Sequence, residues 1–468
     1  MKKLLTFSML LLISFGLAAQ TTETSKPKKE KKAKKEKIYN EKGEIIKKGW
    51  NFGPLPVVGF RSDMGFQYGV CMDVFNYGDG SKYPGYNFKL NFEVSTYTKG
   101  SSVFRFYSYW NNIIPKGKLF VDVSYFIDKK FDFYGFNGYA APYHKDFAID
   151  ANGMPQPDFG VKNSGFYGFS RNQFRFVSSM QQQIGNIKGF YYGAGLAYFN
   201  NYIDKLKLDA YDGQKTLYDL YCATGLIRED EKHGGNTTQV KAGLIYDTKD
   251  YENDPTRGIY AEGVFTFAPD MIDGNGRTNL SFTGVFQQYV PLYKEHLTFA
   301  YRLGFQNVLA GDISFYDMLN TNVLFFKKMY TDALGGASNV RGINRNRVIG
   351  KGFAWLNIDL RWRMVNFKLI NQNWCVVLNP FFDAGMVTQT FRLDEQKEIR
   401  QILDEKFPLL SDTDVIYSGK DETPHCSGGL SLKLIMNKNF VISAEFAKAF
   451  NEFDGTGLAT YIGFNYIF

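Results

Sequence analysis

The chain has 468 residues, with 55 Lys and Arg against 47 Asp and Glu, which gives a formal net charge of +8. Aromatic residues make up 17% of it, including 44 Phe and 31 Tyr, and it contains 46 Gly. This content is too aromatic and glycine-rich for a disordered chain. No run of about 18 apolar residues follows the N-terminus, which excludes transmembrane helices. The composition therefore indicates a large β-rich protein with dispersed apolar residues.

The N-terminus has the features of a secretory signal peptide. A lysine pair precedes an apolar run over 4–17, and Ala18 and Ala19 provide a small-residue cleavage site. We therefore predict a signal peptide at 1–19. Export of the mature protein excludes nucleic acid as a partner.

Residues 20–49 form a lysine-rich segment without a core-forming pattern. Over 20–48 it contains eleven Lys and five Glu, and the chain from residue 49 onward is neutral, with 42 basic and 42 acidic residues. Such a segment is typical of a solvated, disordered tether. The alternative is contact with anionic lipid head groups or an acidic periplasmic partner. We predict a disordered periplasmic tail.

Residues 50–468 show alternating apolar and polar residues in runs bounded by turn residues. Along 355–364, for example, Leu, Ile, Leu, Trp and Met share one face, while Asn, Asp and two Arg share the other. The pattern recurs too often for the core of one soluble sandwich, and aromatic residues crowd the strand ends as they do at a membrane interface. It predicts apolar side chains facing lipid and polar side chains facing an interior.

Sixteen strands are predicted in this region, an even number as expected for a bacterial outer-membrane barrel. The connections alternate between short turns and a set that contains the long loops 132–167, 204–236, 307–352 and 388–423, as expected for periplasmic turns and external loops. We therefore predict an all-β, 16-stranded antiparallel transmembrane β-barrel in the bacterial outer membrane. Pro54 and Pro56 indicate that the first strand lies at an edge or seam. The predicted strands are 54–61, 65–77, 86–97, 102–111, 117–131, 168–183, 187–203, 237–247, 257–267, 277–290, 295–306, 353–365, 374–387, 424–435, 439–448 and 457–468.

The last predicted strand has a pattern typical of an assembly signal. Ile462, Phe464, Tyr466 and Phe468 fall on one face of it by alternation. A terminal aromatic residue with alternating apolar positions is typical of the final barrel strand read by the assembly machinery. We expect these four residues to form such a signal; the alternative is the last strand of a soluble sheet.

Motifs for catalysis or metal binding are missing from the sequence. The cysteines show no CxxC spacing, and the histidines show no HExxH or HxH arrangement. Neither a G-x-S-x-G elbow nor a P-loop is present. We therefore expect no enzymatic activity, no metal site and no cofactor. The cysteines are Cys71, Cys222, Cys375 and Cys426.

One long connection, between the eleventh and twelfth strands, contains a glycine-bordered turn that presents Arg341. Asp359 on the twelfth strand and Asp383 on the thirteenth point to the polar interior by alternation. A barrel of sixteen strands is wide enough for an inward-folded loop to bring Arg341 to these carboxylates. A bidentate pair there would lock the loop and compensate the charge. The alternative is a surface loop with an incidental arginine.

These segments resemble the barrels of the BamA- and TamA-like outer-membrane assembly and translocation superfamily, the bacterial surface antigen family. Val340-Arg341-Gly342 is similar to the family's loop tip, although Ile343 replaces the usual aromatic residue. Phe381-Phe382-Asp383-Ala384-Gly385 is similar to its aromatic-x-Asp-x-Gly strand, and Asp250 to Gly258 to its periplasmic turn. The resemblance covers about 240–468 well and the upstream strands loosely. It implies that Arg341 docks on Asp359 and Asp383 inside the barrel, and that the seam between the first and last strands is weak.

The family's POTRA modules, which bind substrate or partner, do not fit into the 29 residues of the lysine-rich tail. The resemblance therefore implies a POTRA-less barrel in outer-membrane protein or lipid biogenesis or translocation, alone or as an accessory subunit. Its implied partners are outer-membrane lipid and periplasmic or outer-membrane assembly proteins. The alternatives are a gated transport pore and a surface-interaction barrel. A plug domain or an energy-coupling box would favour the pore, and neither is evident; the loops 204–236 and 388–423 contain predicted helical segments.

Overall fold

A computed structural model gives the fold. The signal peptide and most of the lysine-rich tail lie outside the residues that it describes, so both remain predictions. The described residues are 38–39, 45–83, 85–111, 113–144, 165–207, 215–270, 277–323, 332–369, 372–406, 415–438, 440–455, 457–464, 466 and 468.

Sixteen antiparallel strands form a closed barrel, in which each strand pairs with its neighbours in sequence and the last strand pairs with the first. This confirms the predicted fold class. The strands are β1 Trp50–Arg61, β2 Gly65–Asn76, β3 Phe88–Tyr97, β4 Ser101–Asn111, β5 Gly117–Asp132, β6 Gly168–Gln183, β7 Phe190–Asp204, β8 Gly234–Asp247, β9 Gly258–Ala268, β10 Asn279–Tyr293, β11 Leu297–Gly311, β12 Gly352–Leu369, β13 Gln372–Gln389, β14 His425–Met436, β15 Phe440–Ala449 and β16 Ala459–Phe464.

The alternation of side chains along β12 sets the polarity of the barrel wall. Asn357, Asp359 and Arg361 are fully buried in the interior, whereas Trp362 is 50% exposed on the outside. Successive strand residues point to opposite faces, so a polar lumen and an apolar outer surface follow from one sequence pattern.

The connections differ strongly between the two ends of the barrel. Short turns join the strands at one end, called here the short-turn end, and the long connections lie at the other, the long-loop end. Two long loops contain helices, α1 Leu217–Ala223 and α2 Leu393–Lys406, as predicted. α1 begins with a capping box, because the Thr216 side chain accepts from the Asp219 N–H and the Asp219 carboxylate accepts from the Thr216 N–H. None of the described helices has the length and apolarity that a membrane crossing needs.

The long loops pack against one another through an aromatic cluster. Phe136 contacts Tyr221 of α1 and Phe391 near α2 edge-on, with ring centroids 5.3 and 5.1 Å apart. Phe133 and Phe315 belong to the same buried cluster. Edge-to-face aromatic contacts of this kind stabilise a core beyond their buried area. The described loops therefore form a packed dome over the long-loop end.

Candidate functional site: a loop locked inside the barrel

In the connection between β11 and β12, the described residues 332–351 fold into the barrel instead of projecting from it. Its tip, Val340-Arg341-Gly342, is fully buried. Gly342 has a φ of +87°, and a Cβ there would lie 3.0 Å from both the Ala447 Cβ and the Lys448 N. Only glycine adopts this conformation at so close an approach to β15 without strain.

Arg341 is held against the wall by two carboxylates. Its Nε and Nη2 donate to the two oxygens of Asp383 at 2.7 and 2.9 Å, and Nη2 also donates to Asp359 Oδ1 at 2.9 Å. The backbone N–H of Arg341 donates to Asp383 as well, at 3.0 Å. The guanidinium lies 3.5 Å from the ring centroid of Phe381. The structure thus brings together the arginine and both acids that the sequence singled out.

Three further charged residues complete this site, and no sequence motif selects them for it. Glu445 on β15 lies 3.6 Å from Arg341 Nη1 and 2.5 Å from Lys433 Nζ, while Arg361 Nη2 lies 3.2 Å from Asp359. Burial alone would lower the pKa of Arg341, but Asp383 and Asp359 raise it well above its ordinary value. The cluster is electrically balanced, with Arg341, Arg361 and Lys433 against Asp359, Asp383 and Glu445.

Gly385 makes room for the loop above the carboxylates. A Cβ at this position would lie 2.9 Å from Leu334 Cδ1 and 3.1 Å from Val340 Cγ2. The aromatic-x-Asp-x-Gly strand therefore supplies three parts of the site: a ring beneath the guanidinium, a bidentate acceptor and space for the loop tip.

A second anchor lies on another part of the wall. Arg345 makes a bidentate pair with Asp332 of the same loop, at 2.8 and 3.2 Å. The guanidinium groups of Arg345 and Arg171 both lie over the ring of Phe131. Arg171 is in turn paired with Asp128 at 3.1 Å. Burial alone would raise the pKa of Asp332, but the Arg345 guanidinium holds it below its ordinary value. The loop is thereby held against β5 and β6 as well as against β12 and β13.

A third anchor joins the loop to the dome. Arg347 donates to the carbonyl oxygens of Gly138, Ala141 and Phe453 at 2.9, 3.0 and 2.8 Å. The Asn344 N–H donates to the carbonyl of Asp454 at 2.7 Å. Phe453 and Asp454 lie in the connection between β15 and β16, so the inward loop, the dome and the last hairpin form one continuous polar network.

The four predicted signal residues do not share a face. β16 ends at Phe464, whereas the sequence predicted a strand to 468. Ile462 is 41% exposed on the outside, but Tyr466 is buried, with its ring 4.0 Å from the guanidinium of Arg361. Arg361 also donates to the Phe468 carbonyl at 3.0 Å. Alternation does not predict the facing of Tyr466, because lumen arginines bind this residue where regular strand pairing has stopped. The side chain of Phe464 lies outside the described residues.

Among the described residues, the seam between β1 and β16 is short. Its described pairs are Phe60 with Ile462 and Arg61 with Tyr461, whereas β1 pairs with β2 over 12 residues. The loop tip reaches this seam directly, because the Gly342 N–H donates to the Tyr461 hydroxyl at 3.1 Å.

Beneath the locked loop, the lumen contains a cavity of about 170 Å³. Leu334 and Asn339 of the loop line it from above, and Tyr466 and Phe468 line it from the side. The turn 248–257, called here the strap, borders it at the short-turn end through Glu252. The cavity therefore lies between the loop tip and the short-turn end.

The strap crosses the mouth of the barrel. Asp254 is buried and makes a bidentate pair with Arg363 of β12, at 2.6 and 2.8 Å. The ring centroid of Tyr251 lies 4.0 Å from Lys438 Nζ. On the other side, Glu252 lines the cavity together with Tyr109 of β4. Asp250 shapes the strap by accepting from the N–H groups of residues 251 and 256, each at 2.9 Å.

Asp254→Asn is expected to loosen the strap, because it leaves Arg363 buried without its carboxylate. Breaking one side of such a pair costs about 3 kcal/mol, so trypsin cleavage at Lys249 and Arg257 in detergent should accelerate at least about tenfold. Asp394→Asn, on the exposed surface of α2, is the matched control. Equal cleavage rates in both variants would contradict the role of the ion pair.

In the part of the chain that the structure describes, no group of three or more His, Cys, Asp or Glu residues is arranged to hold a metal ion. The four cysteines are unpaired. Among the described residues, the polar side chains of the lumen form ion pairs and hydrogen bonds that hold the loop in position.

Comparisons with known proteins identify relatives of this barrel. Residues 84–466 match the Omp85 superfamily domain. BamA from Haemophilus ducreyi lacking POTRA domains 1–3 superposes with a TM-score of 0.50 at 14% identity, over 90% of this chain and 70% of that one. CdiB from Acinetobacter baumannii gives 0.44 at 12% identity, over 90% and 60%. A search of curated proteins finds no match. At these identities the structural likeness shows the fold alone.

Proposed function

The chain belongs to the Omp85 superfamily, and we propose that it is an outer-membrane barrel that assembles or translocates other outer-membrane components. Its substrate would be a protein or a lipid, and it would act alone or as an accessory subunit. Its partners would be outer-membrane lipid and periplasmic or outer-membrane assembly proteins. The role is non-catalytic.

The seam is the observation that carries this proposal. Two described residue pairs join β1 to β16, against 12 between β1 and β2. Backbone hydrogen bonds are the main resistance to parting two strands within a bilayer. A seam with few of them is therefore the place where the wall opens most readily toward lipid.

The closure of the long-loop end supports a lateral route over a channel through the barrel. The aromatic dome covers that end, and the locked loop fills the lumen below it. The cavity lies on the other side of the loop, toward the strap. A gated pore would require both the dome and three arginine anchors to move, whereas a lateral route requires only the seam to part.

Depletion of the protein tests the proposed function. We expect the folded, heat-modifiable forms of other outer-membrane proteins, or the surface-exposed lipid, to fall while their synthesis continues. Reintroduction of the wild-type chain should restore them. Unchanged levels of both classes after depletion would refute a role in assembly or translocation.

The orientation of the barrel is a separate prediction. We expect the long-loop end to face outward, because long loops lie outside in outer-membrane barrels. A protease site inserted in the loop 133–167 should be cut in intact cells, and one inserted at residue 30 should be cut only after the outer membrane is permeabilised. The reverse pattern would contradict this topology.

A further inference from the structure

The direction in which the β1 backbone groups point follows from the described hydrogen bonds. The Ser62 N–H donates to the Thr460 carbonyl across the seam at 3.1 Å, whereas the Arg61 carbonyl accepts on the β2 side, from Met64. Strand residues alternate between their two neighbours, and the pairing of β1 with β2 is continuous from Trp50 to Arg61. Even-numbered residues of β1 therefore face β16.

Pro54 and Pro56 are both even-numbered, so the N–H groups that they lack are the ones that would face β16. The ladder with β2 is consequently unaffected, and it runs through both prolines without a register shift. Extending the register of Phe60 with Ile462 places Tyr466 opposite Pro56 and Phe468 opposite Pro54. Each of these pairs would lose one of its two hydrogen bonds.

The same effect occurs elsewhere in the wall. Pro380 on β13 faces β12 by the same alternation, and the pairs between β12 and β13 are interrupted between Asp359–Phe381 and Trp362–Leu378. The ladder on its other side, with β14, continues through Pro380. One proline inside the wall thus suffices to interrupt pairing on the side that it faces.

Tyr466 and Phe468, which the extended register places opposite the two prolines, do not lie beside β1 but inside the lumen. Tyr466 is buried against Arg361, and the Phe468 ring lies 5.3 Å from the guanidinium of Arg302, inside the lumen. Both residues line the cavity. Tyr466 and Phe468 are therefore bound by lumen arginines, whereas the β1 positions opposite them have no N–H donors.

We propose that Pro54 and Pro56 hold the short-turn half of the seam open, by making the lower edge of β1 able to accept hydrogen bonds but not to donate them at two successive seam positions. A continuous antiparallel strand, whether residues 466–468 or a strand from another protein, leaves two carbonyls unsatisfied there. The cavity thereby has a built-in lateral opening, while the upper seam remains paired. This inference concerns the resting barrel and does not depend on the proposed function.

Disulfide trapping in outer membranes tests the proposal, in a chain whose four native cysteines are replaced by alanine. The pair Phe60→Cys with Ile462→Cys reports on the upper seam, and Leu55→Cys with Ile467→Cys reports on the lower seam between the prolines. We expect efficient cross-linking of the upper pair and little of the lower pair. Adding Pro54→Val and Pro56→Val should raise the lower yield by about tenfold, since two donors are restored.

Pro380→Val is the matched control, because it restores a donor within the wall and should leave the lower yield unchanged. Each single seam variant, Pro54→Val or Pro56→Val, should raise the yield by about threefold. Heat-modifiability verifies that each variant is folded. Equal cross-linking of the lower and upper pairs in the wild-type background, or an unchanged lower yield in the folded valine variants, would overturn the proposal.

Discussion

Arg341→Ala is expected to release the inward loop and to lower barrel stability by about 3 kcal/mol. The substitution leaves Asp359, Asp383 and Glu445 facing one another with only Arg361 and Lys433 to compensate them. Carboxylates so placed repel one another or take up a proton. The temperature at which the folded band converts to the unfolded band in electrophoresis should fall, and the cleavage of loop 312–351 by protease should increase.

The conservative variants separate charge from geometry at the same site. Arg341→Lys should recover only part of the stability, because an ammonium group cannot make the planar, bidentate contact with Asp383. Asp383→Asn should resemble Arg341→Ala, and the double variant should be less destabilised than the sum of the two, since both remove one interaction. Strict additivity in this cycle would mean that the two residues do not act as a pair.

Gly342→Ala is expected to have the second-largest effect, because it combines two penalties. A positive φ costs an alanine about 1 kcal/mol, and the added Cβ would press on the Ala447 Cβ and Lys448 N of β15, each 3.0 Å away. Displacing that backbone costs about a further 1–3 kcal/mol. The tip should then withdraw, and the contact of Gly342 with Tyr461 at the seam should be lost.

Gly185→Ala provides the control for this prediction. Gly185 lies in a short turn with a φ of +54°, and nothing lies within 4 Å of its added Cβ. It therefore carries the backbone penalty without the contact. Equal losses of thermal stability in the two variants would show that the tip is not fitted against β15.

The fold was accessible from the sequence because one simple pattern, alternation, determines both strand position and facing. The same pattern, together with the resemblance of Val340-Arg341-Gly342 and Asp383 to a known family, was enough to place Arg341 beside its two acids. Glu445 was not accessible in this way. In the sequence, Glu445 is one acidic residue at an inward-facing position of a strand and belongs to no motif. Only the three-dimensional path of the loop shows that Arg341 reaches Glu445.

The other anchors were inaccessible for a related reason. Arg347 binds three backbone carbonyls, and a carbonyl acceptor leaves no trace in the residue types around it. The inward turn of Tyr466 was mispredicted because alternation continues in the sequence after pairing has ended. The sequence did contain the proposed cause of the lost pairing, which is the two prolines on β1. Their effect on the seam depends on whether their nitrogens face β16 or β2, and only the structure shows this direction.

The function of the seam can be tested by locking it reversibly. Phe60→Cys and Ile462→Cys form a pair that is opposite in the described register, at a separation that a disulfide spans. In cells that depend on this variant, in the cysteine-free background, oxidation should stop the appearance of newly folded outer-membrane components, and a reductant should restore it. Undiminished assembly with the seam fully cross-linked would contradict a lateral route through β1 and β16.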